Sequence, residues 1–141
     1  MLPAITVQAL LASVAEPAWL TVDAPVLLSG AALLLIVGGG WTMRAAAAEL
    51  EMHATPVCVD EPARALITTG PYRHSRHPMY VGSVAVLAGA ACALGSPLAA
   101  GVALAYGAWI DRRHARQEDA ALHERFGPAW RAYAARVRRW R

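Results

Sequence analysis

One apolar run, from Ala24 to Met43, constrains the fold of this chain more than any other feature. As an α-helix its 20 residues extend about 30 Å, which is the thickness of the hydrocarbon core of a bilayer. Only 16% of the 141 residues are charged, against roughly a quarter in an ordinary soluble domain. The sequence therefore predicts a single-domain, all-α integral membrane protein over residues 1–141, and a soluble enzyme is disfavoured.

A second apolar stretch, Tyr80 to Ile110, is interrupted by Gly95, Ser96 and Pro97. Glycine ends helices, serine caps the next one, and proline is favoured in a first helical turn. We therefore expect a helical hairpin over residues 80–110. Its first arm, residues 80–94, is only about 22 Å long and needs neighbours, bilayer thinning or burial within the protein to span.

The third apolar stretch, Leu2 to Leu20, is weakened as a span by Gln8, Glu16 and Pro17. It fits a helix that lies on the surface, a further span, or a cleaved leader, although no basic residue precedes it. The sequence therefore predicts three or four transmembrane helices.

The 13 arginines are segregated, with none before Arg44 and nine from Arg112 onward. No arginine lies at the hairpin turn. The positive-inside rule then places residues 44–79 and 111–141 in the cytoplasm. The expected location is a bacterial inner membrane. Topology explains the pI of about 9.3, so membrane lipids are expected as partners and nucleic acid is not.

The polar segment between the spans, Arg44 to Met79, is expected to form turns and short extended pieces because it contains four prolines. Near its end, Tyr72, His77 and Tyr80 gather around one predicted helix start, which Pro78 opens. One interpretation is a basic loop that contacts anionic headgroups. The other is a site for a carboxylate or phosphate at the helix N-terminus.

Metal binding is a weaker interpretation of the same segment. The candidates His53, Cys58, His74 and His77 fit no tetrahedral metal-ligand spacing, so no metal is predicted.

The C-terminal region, from Asp111 onward, is predicted to form cytoplasmic helices broken at Gly127 and Pro128. After the break, apolar residues recur every three or four positions, which predicts an amphipathic helix on the membrane surface with its arginines facing water or headgroups. The stripe consists of Trp130, Tyr133, Val137 and Trp140. Glu118 and Asp119 either form exposed ion pairs with arginines or contact a ligand.

Two motifs flank the predicted hairpin in a recognisable order. The first reads Gly70-Pro71-Tyr72-Arg73 and then Arg76-His77-Pro78-Met79-Tyr80-Val81-Gly82, and the second comprises Glu118-Asp119, Leu122, Phe126-Gly127, Trp130, Tyr133 and Val137. Together they resemble the isoprenylcysteine carboxyl methyltransferase and phospholipid methyltransferase group of integral membrane enzymes. The resemblance covers residues 64–141 well and the first span only in general character.

The resemblance implies a methyltransferase that binds S-adenosylmethionine on the cytoplasmic side, between these two motifs. His77 and Tyr80 would hold the amino-acid end of the cofactor, and Glu118 its polar groups. Asp119 replaces the usual glutamate and is one methylene shorter. The motif residues Tyr72, Pro78, Gly82 and Asp119 complete the expected cofactor site.

Within the acidic pair we expect Glu118 to face the motif around His77, and Asp119, 100° further round an ideal helix, to point elsewhere or to reach only the edge of that motif.

The expected reaction is methyl transfer to a lipid-like acceptor, for which the protein supplies positioning and exclusion of water. A carboxylate acceptor is ionised at neutral pH, whereas an amine must first lose a proton, and both stay open. Arg76 and Arg116 are the candidates for orienting an anionic acceptor. The alternatives are a non-catalytic module that binds anionic lipid or a partner helix, and a membrane reductase that uses a nicotinamide cofactor. The oligomeric state is left open.

Overall fold

The computed structural model describes Thr6, Gln8, residues 26–55 and residues 63–140. In this part of the chain every regular element is helical, which confirms the all-α class. The elements are α1 (Val26–Met52), a 3₁₀ turn (Gly70–Arg73), α2 (Pro78–Leu94), α3 (Pro97–Ile110), a π-helical turn (Asp111–Ala115) and α4 (Arg116–Arg136). The chain divides into two compact units, Met1–Trp41 with Gly82–Ala108 and Thr42–Val81 with Trp109–Arg141.

Helix α1 carries the predicted span and continues nine residues beyond Met43. The expectation of turns from Arg44 onward is therefore wrong for residues 44–52. Four alanines follow Arg44, and alanine has the highest helix propensity of all residue types. Large apolar side chains of α1 are exposed, Trp41 to 74%. Of the described helices it alone is long and apolar enough to cross a membrane, over Leu28–Met52.

The predicted hairpin is present as α2 and α3, which have 17 and 14 residues. At the turn Gly95 has a φ of 58°, and the Ser96 hydroxyl accepts a hydrogen bond from the Ala99 amide at 2.9 Å. Both helices are shorter than the 20 or so residues that a bilayer requires. The count of three or four spans therefore stays a prediction.

Helices α1 and α2 approach each other closely in the first unit, through two glycines. A Cβ atom added at Gly39 would lie 2.6 Å from the Gly82 carbonyl oxygen, and one at Gly89 would lie 2.8 Å from the Ala32 carbonyl oxygen. Since real Cβ atoms do not come this close to backbone, glycine at both positions permits the contact.

Of the N-terminal stretch, only Thr6 and Gln8 are described, so the choice among its alternatives lies outside the described residues. Gln8 is fully buried, and its side-chain amide donates to the carbonyls of Leu87 at 3.2 Å and Ala99 at 2.6 Å. The polar residue that weakened the predicted span therefore binds both arms of the hairpin.

The second unit contains the predicted break at Gly127, where φ is 49° inside α4. The final helix ends at Arg136, and Val137 is extended. The predicted stripe is wrong in its last two members, because Val137 and Trp140 lie beyond the helix. Tyr133 is buried and donates its hydroxyl to the Tyr72 carbonyl at 2.8 Å, so this part of the stripe faces protein instead of lipid.

Candidate active site

The Ser75-Arg76-His77-Pro78 sequence forms the entry to α2. The amides of Tyr80 and Val81 both donate to the His77 carbonyl at 3.1 Å, and the His77 amide donates to the Ser75 hydroxyl at 3.2 Å. Pro78 is the first residue of the helix, where its missing N–H costs nothing. The local sequence thus fixes His77 at the helix start, as predicted.

His77 lies between two carboxylates. Its Nδ1 is 3.1 Å from Glu118 Oε2 and its Nε2 is 3.1 Å from Asp119 Oδ1, and its side chain is buried. Because carboxylates only accept hydrogen bonds, both ring nitrogens carry protons in this arrangement. Burial alone would lower the pKa of His77, but the hydrogen bonds to Asp119 and Glu118 outweigh it and raise the pKa above its ordinary value.

Asp119 binds three cationic side chains. Its Oδ2 accepts from Arg139 Nε at 2.8 Å and Nη2 at 2.7 Å and lies 3.2 Å from Arg76 Nη1, while Oδ1 is paired with His77. Burial favours the neutral acid, but the hydrogen bonds from His77 and Arg139 lower the pKa of Asp119. The carboxylate is therefore ionised and fully engaged.

The expectation that Asp119 points elsewhere or reaches only the edge of the motif is wrong, since its Oδ1 lies 3.1 Å from His77 Nε2 and its side chain is the more buried of the two acids. The two imidazole nitrogens lie on different edges of the ring. A ring placed between successive helix residues therefore contacts both carboxylates despite the 100° between them. The shorter aspartate side chain suits the deeper position.

Glu118 remains accessible, in contrast to Asp119. Its side chain is 39% exposed, and its contact with His77 runs through Oε2. Of the acidic pair, Glu118 is therefore the carboxylate that a ligand can reach.

Aromatic residues surround the histidine. The Tyr80 ring stacks on His77 with 5.4 Å between ring centroids. Burial raises the pKa of Tyr72, and it raises the pKa of Tyr133 to about 12. Both phenols are therefore neutral at physiological pH.

Two buried donors lie next to this cluster. The guanidinium carbon of Arg76 is 5.4 Å from the centre of the Trp130 ring, a cation–π geometry. Arg76 Nε and Trp130 Nε1 are both buried without a hydrogen-bond partner among the described residues. Buried donors of this kind suit a ligand oxygen.

The C-terminal segment Val137–Trp140, here called the tail, folds back within the second unit. Trp140 Nε1 donates to Asp111 Oδ1 at 2.6 Å, and Arg139 binds both Asp111 and Asp119. The prediction that all late arginines face water or headgroups is therefore wrong for Arg139. The sequence did contain one signal for this contact. Asp111 and Asp119 are eight residues apart, which places them about two helical turns apart on one face, where a single arginine can reach both.

The two remaining predicted site residues are Arg116 and Gly82. Arg116 is 63% exposed and pairs with Asp111 at 3.1 Å, at the opposite side of that carboxylate from Arg139. Gly82 is buried in α2, packed against Gly39. The structure therefore gives Gly82 a packing role and leaves Arg116 as a surface cation.

The described residues form a helical protein with one helix long and apolar enough to cross a membrane, and with a buried histidine between two acidic side chains. The family model of the phospholipid methyltransferases matches residues 28–129, and the chain belongs to that family. This confirms the resemblance that the two motifs indicated. Membership implies methyl transfer involving lipid-type substrates. The comparison with curated proteins found no similar sequence.

Proposed function

We propose that this protein transfers the methyl group of S-adenosylmethionine to a lipid-type acceptor at the cytoplasmic face of the membrane. The observation that carries the proposal is the accessible Glu118 carboxylate beside the buried His77 imidazolium, in a member of the phospholipid methyltransferase family. Both side chains belong to the motifs in which the resemblance places the cofactor.

The side chains present suit the chemistry of this cofactor. Its amino-acid end carries an ammonium and a carboxylate, and its ribose carries hydroxyls. The exposed Glu118 carboxylate suits the ammonium or a ribose hydroxyl. The unpartnered donors of Arg76 and Trp130 suit the carboxylate. The site thus offers both signs of charge that the amino-acid end requires.

The bound cofactor supplies an electrophilic methyl group on a sulfonium, so the protein needs no covalent nucleophile. His77 is held as an imidazolium between two carboxylates and has no free lone pair. With both ring nitrogens engaged by carboxylates, it orients Glu118. A carboxylate acceptor needs no base, whereas an amine acceptor has to lose its proton before it accepts the methyl group.

Titration of the purified protein in detergent with S-adenosylmethionine, S-adenosylhomocysteine and NADPH tests the proposal. We expect binding of the first two and none of NADPH. Binding of NADPH alone would indicate the reductase alternative, and binding of none of the three would indicate the non-catalytic membrane module.

Glu118→Gln is the sharpest variant for the site. It keeps the shape but removes a charge-assisted contact, which is worth about 1.5 to 3 kcal/mol or roughly 10- to 150-fold in affinity for S-adenosylhomocysteine. The matched control is Glu124→Gln, on the same helix and exposed. Equal affinities in both variants would contradict the assignment of Glu118.

The cytoplasmic orientation is tested by cysteine labelling in intact cells, on a background in which Cys58 and Cys92 are serine. The positive-inside rule predicts that Arg64→Cys and Arg136→Cys stay unlabelled by an impermeant reagent. Pro97→Cys at the hairpin turn, where the side chain is exposed, should label. The reverse pattern would refute the orientation.

A further inference from the structure

We propose that Arg139 is a positioning residue for the cofactor site, acting through Asp119 on His77 and Glu118, so that the tail is a necessary part of that site. This proposal rests on the proposed function for its ligand, and it assigns a role to a residue outside the family match, which ends at residue 129.

The guanidinium of Arg139 holds two carboxylates at once. Its Nε and Nη2 contact Asp119 Oδ2 at 2.8 and 2.7 Å, and its Nη1 contacts Asp111 Oδ1 at 3.3 Å. Two N–H groups on one oxygen and a third on a second acid fix the orientation of the guanidinium plane. The side chain is 27% exposed, so solvent reaches only part of it.

The position of Asp119 fixes the position of the histidine. With Oδ2 bound by Arg139 and Arg76, the other oxygen, Oδ1, is directed at His77 Nε2. The opposite edge of the same ring then meets Glu118. Arg139 thus determines, through two intervening groups, where the accessible carboxylate is held.

The tail backbone also supports the loop that carries the Arg-His-Pro motif. The Arg76 amide donates to the Arg138 carbonyl at 3.0 Å, and the Ser75 hydroxyl donates to the Arg139 carbonyl at 2.6 Å. Trp140 anchors the end of the tail on Asp111. The tail therefore contacts both motifs, one through its backbone and the other through the Arg139 side chain.

The test compares Arg139→Gln with two other variants. Arg139→Lys keeps the charge and loses the planar fork. Arg138→Gln is the matched control, because Arg138 contributes its backbone carbonyl and its side chain is exposed. The readouts are S-adenosylhomocysteine affinity, the melting temperature, and the pKa of His77 followed by side-chain NMR.

We expect Arg139→Gln to lower the affinity for S-adenosylhomocysteine about tenfold, because the substitution removes the charge-assisted contacts that hold Asp119 in place. Arg139→Lys should recover only part of this, and Arg138→Gln should match the wild type. Because loss of the guanidinium leaves more of the Asp119 charge for the imidazolium, the pKa of His77 should rise in Arg139→Gln. Wild-type affinity together with a wild-type His77 pKa would overturn the proposal.

Combination with Asp119→Asn decides whether Arg139 acts through Asp119. If it does, Arg139→Gln changes neither the His77 pKa nor the affinity further in that background, whereas additive effects overturn the proposal. Should the double variant not fold, the comparison of Lys with Gln at position 139 decides, since a wild-type affinity in Arg139→Lys would show that only charge matters and would overturn the positioning role. The NMR readout needs no cofactor, so a protein that binds no S-adenosylhomocysteine would refute the proposed function and still test Arg139.

Discussion

Asp119→Asn should destabilise this protein far more than the same change at its neighbour Glu118. The amide is the same size as the carboxylate but brings two N–H donors. If its nitrogen replaces Oδ2, it faces the donors of Arg76 and Arg139, and if it replaces Oδ1, it faces His77 Nε2–H. Either orientation sets donor against donor and removes the negative charge that three cations share.

The magnitude follows from the burial of these groups. Removing one partner of a fully buried ion pair costs about 3 to 5 kcal/mol. Since Arg139 and Arg76 are 27% and 14% exposed and can recruit some water, we expect about 2 to 4 kcal/mol for Asp119→Asn. Glu118→Gln loses one contact of a half-exposed side chain and should cost less than about 1 kcal/mol.

Thermal unfolding in detergent, followed by tryptophan fluorescence, measures the difference. A loss of about 2 to 4 kcal/mol corresponds to a fall of roughly 4 to 16 °C for a chain of this size. Glu118→Gln, the matched control, should melt within a few degrees of the wild type but bind S-adenosylhomocysteine more weakly. Equal melting temperatures for the two variants, or a lower one for Glu118→Gln, would refute the reasoning.

Three further predictions concern pH, helix packing and a buried hydroxyl. The pKa of His77 is raised above 6.5, so the stability that its ion pairs contribute is lost as pH rises through the folded-state pKa. The pKa of Asp119 is lowered below 3.8, so the stability that Asp119 contributes is lost as pH falls through its folded-state pKa. Melting scans should show both declines, and His77→Gln should abolish the alkaline one. Gly39→Ala should lower the melting temperature because of the close approach to α2, whereas Gly40→Ala, with open space around it, should keep or raise it. Tyr133→Phe should lower the free energy of unfolding by about 1 kcal/mol, because it removes the hydrogen bond to the Tyr72 carbonyl. An unchanged free energy of unfolding would show that this hydrogen bond does not stabilise the protein.

The features that the sequence predicted well depend on local chemistry. The hairpin turn at Gly95, the start of α2 at Pro78 and the break at Gly127 follow from residues that favour or forbid particular backbone conformations. Such signals act within a few positions of the chain and need no knowledge of what packs nearby. The end of α1 was missed because the alanines after Arg44 extend the helix past the apolar run.

The features that the sequence missed depend on contacts between distant segments. Arg139 meets Asp119 and Asp111 only because the chain leaves the helix after Arg136 and turns back. Nothing in the local pattern of Val137 to Trp140 distinguishes this course from one more turn of an amphipathic helix. The periodicity of the sequence therefore predicted a continued helix, whereas in the structure the ion pairs of Arg139 stabilise the extended tail.

The two adjacent acids have different roles because one histidine ring joins them. Asp119 faces Arg76 and Arg139 and is fully engaged, whereas Glu118 is partly exposed. Since both contact His77, a ligand that draws Glu118 away leaves the imidazolium to Asp119 alone and shifts its protonation. By linkage, the protonation of His77 then changes the affinity of that ligand by the same factor. The buried half of the cluster therefore stabilises the fold and also sets the electrostatic state of the half that is open to ligand.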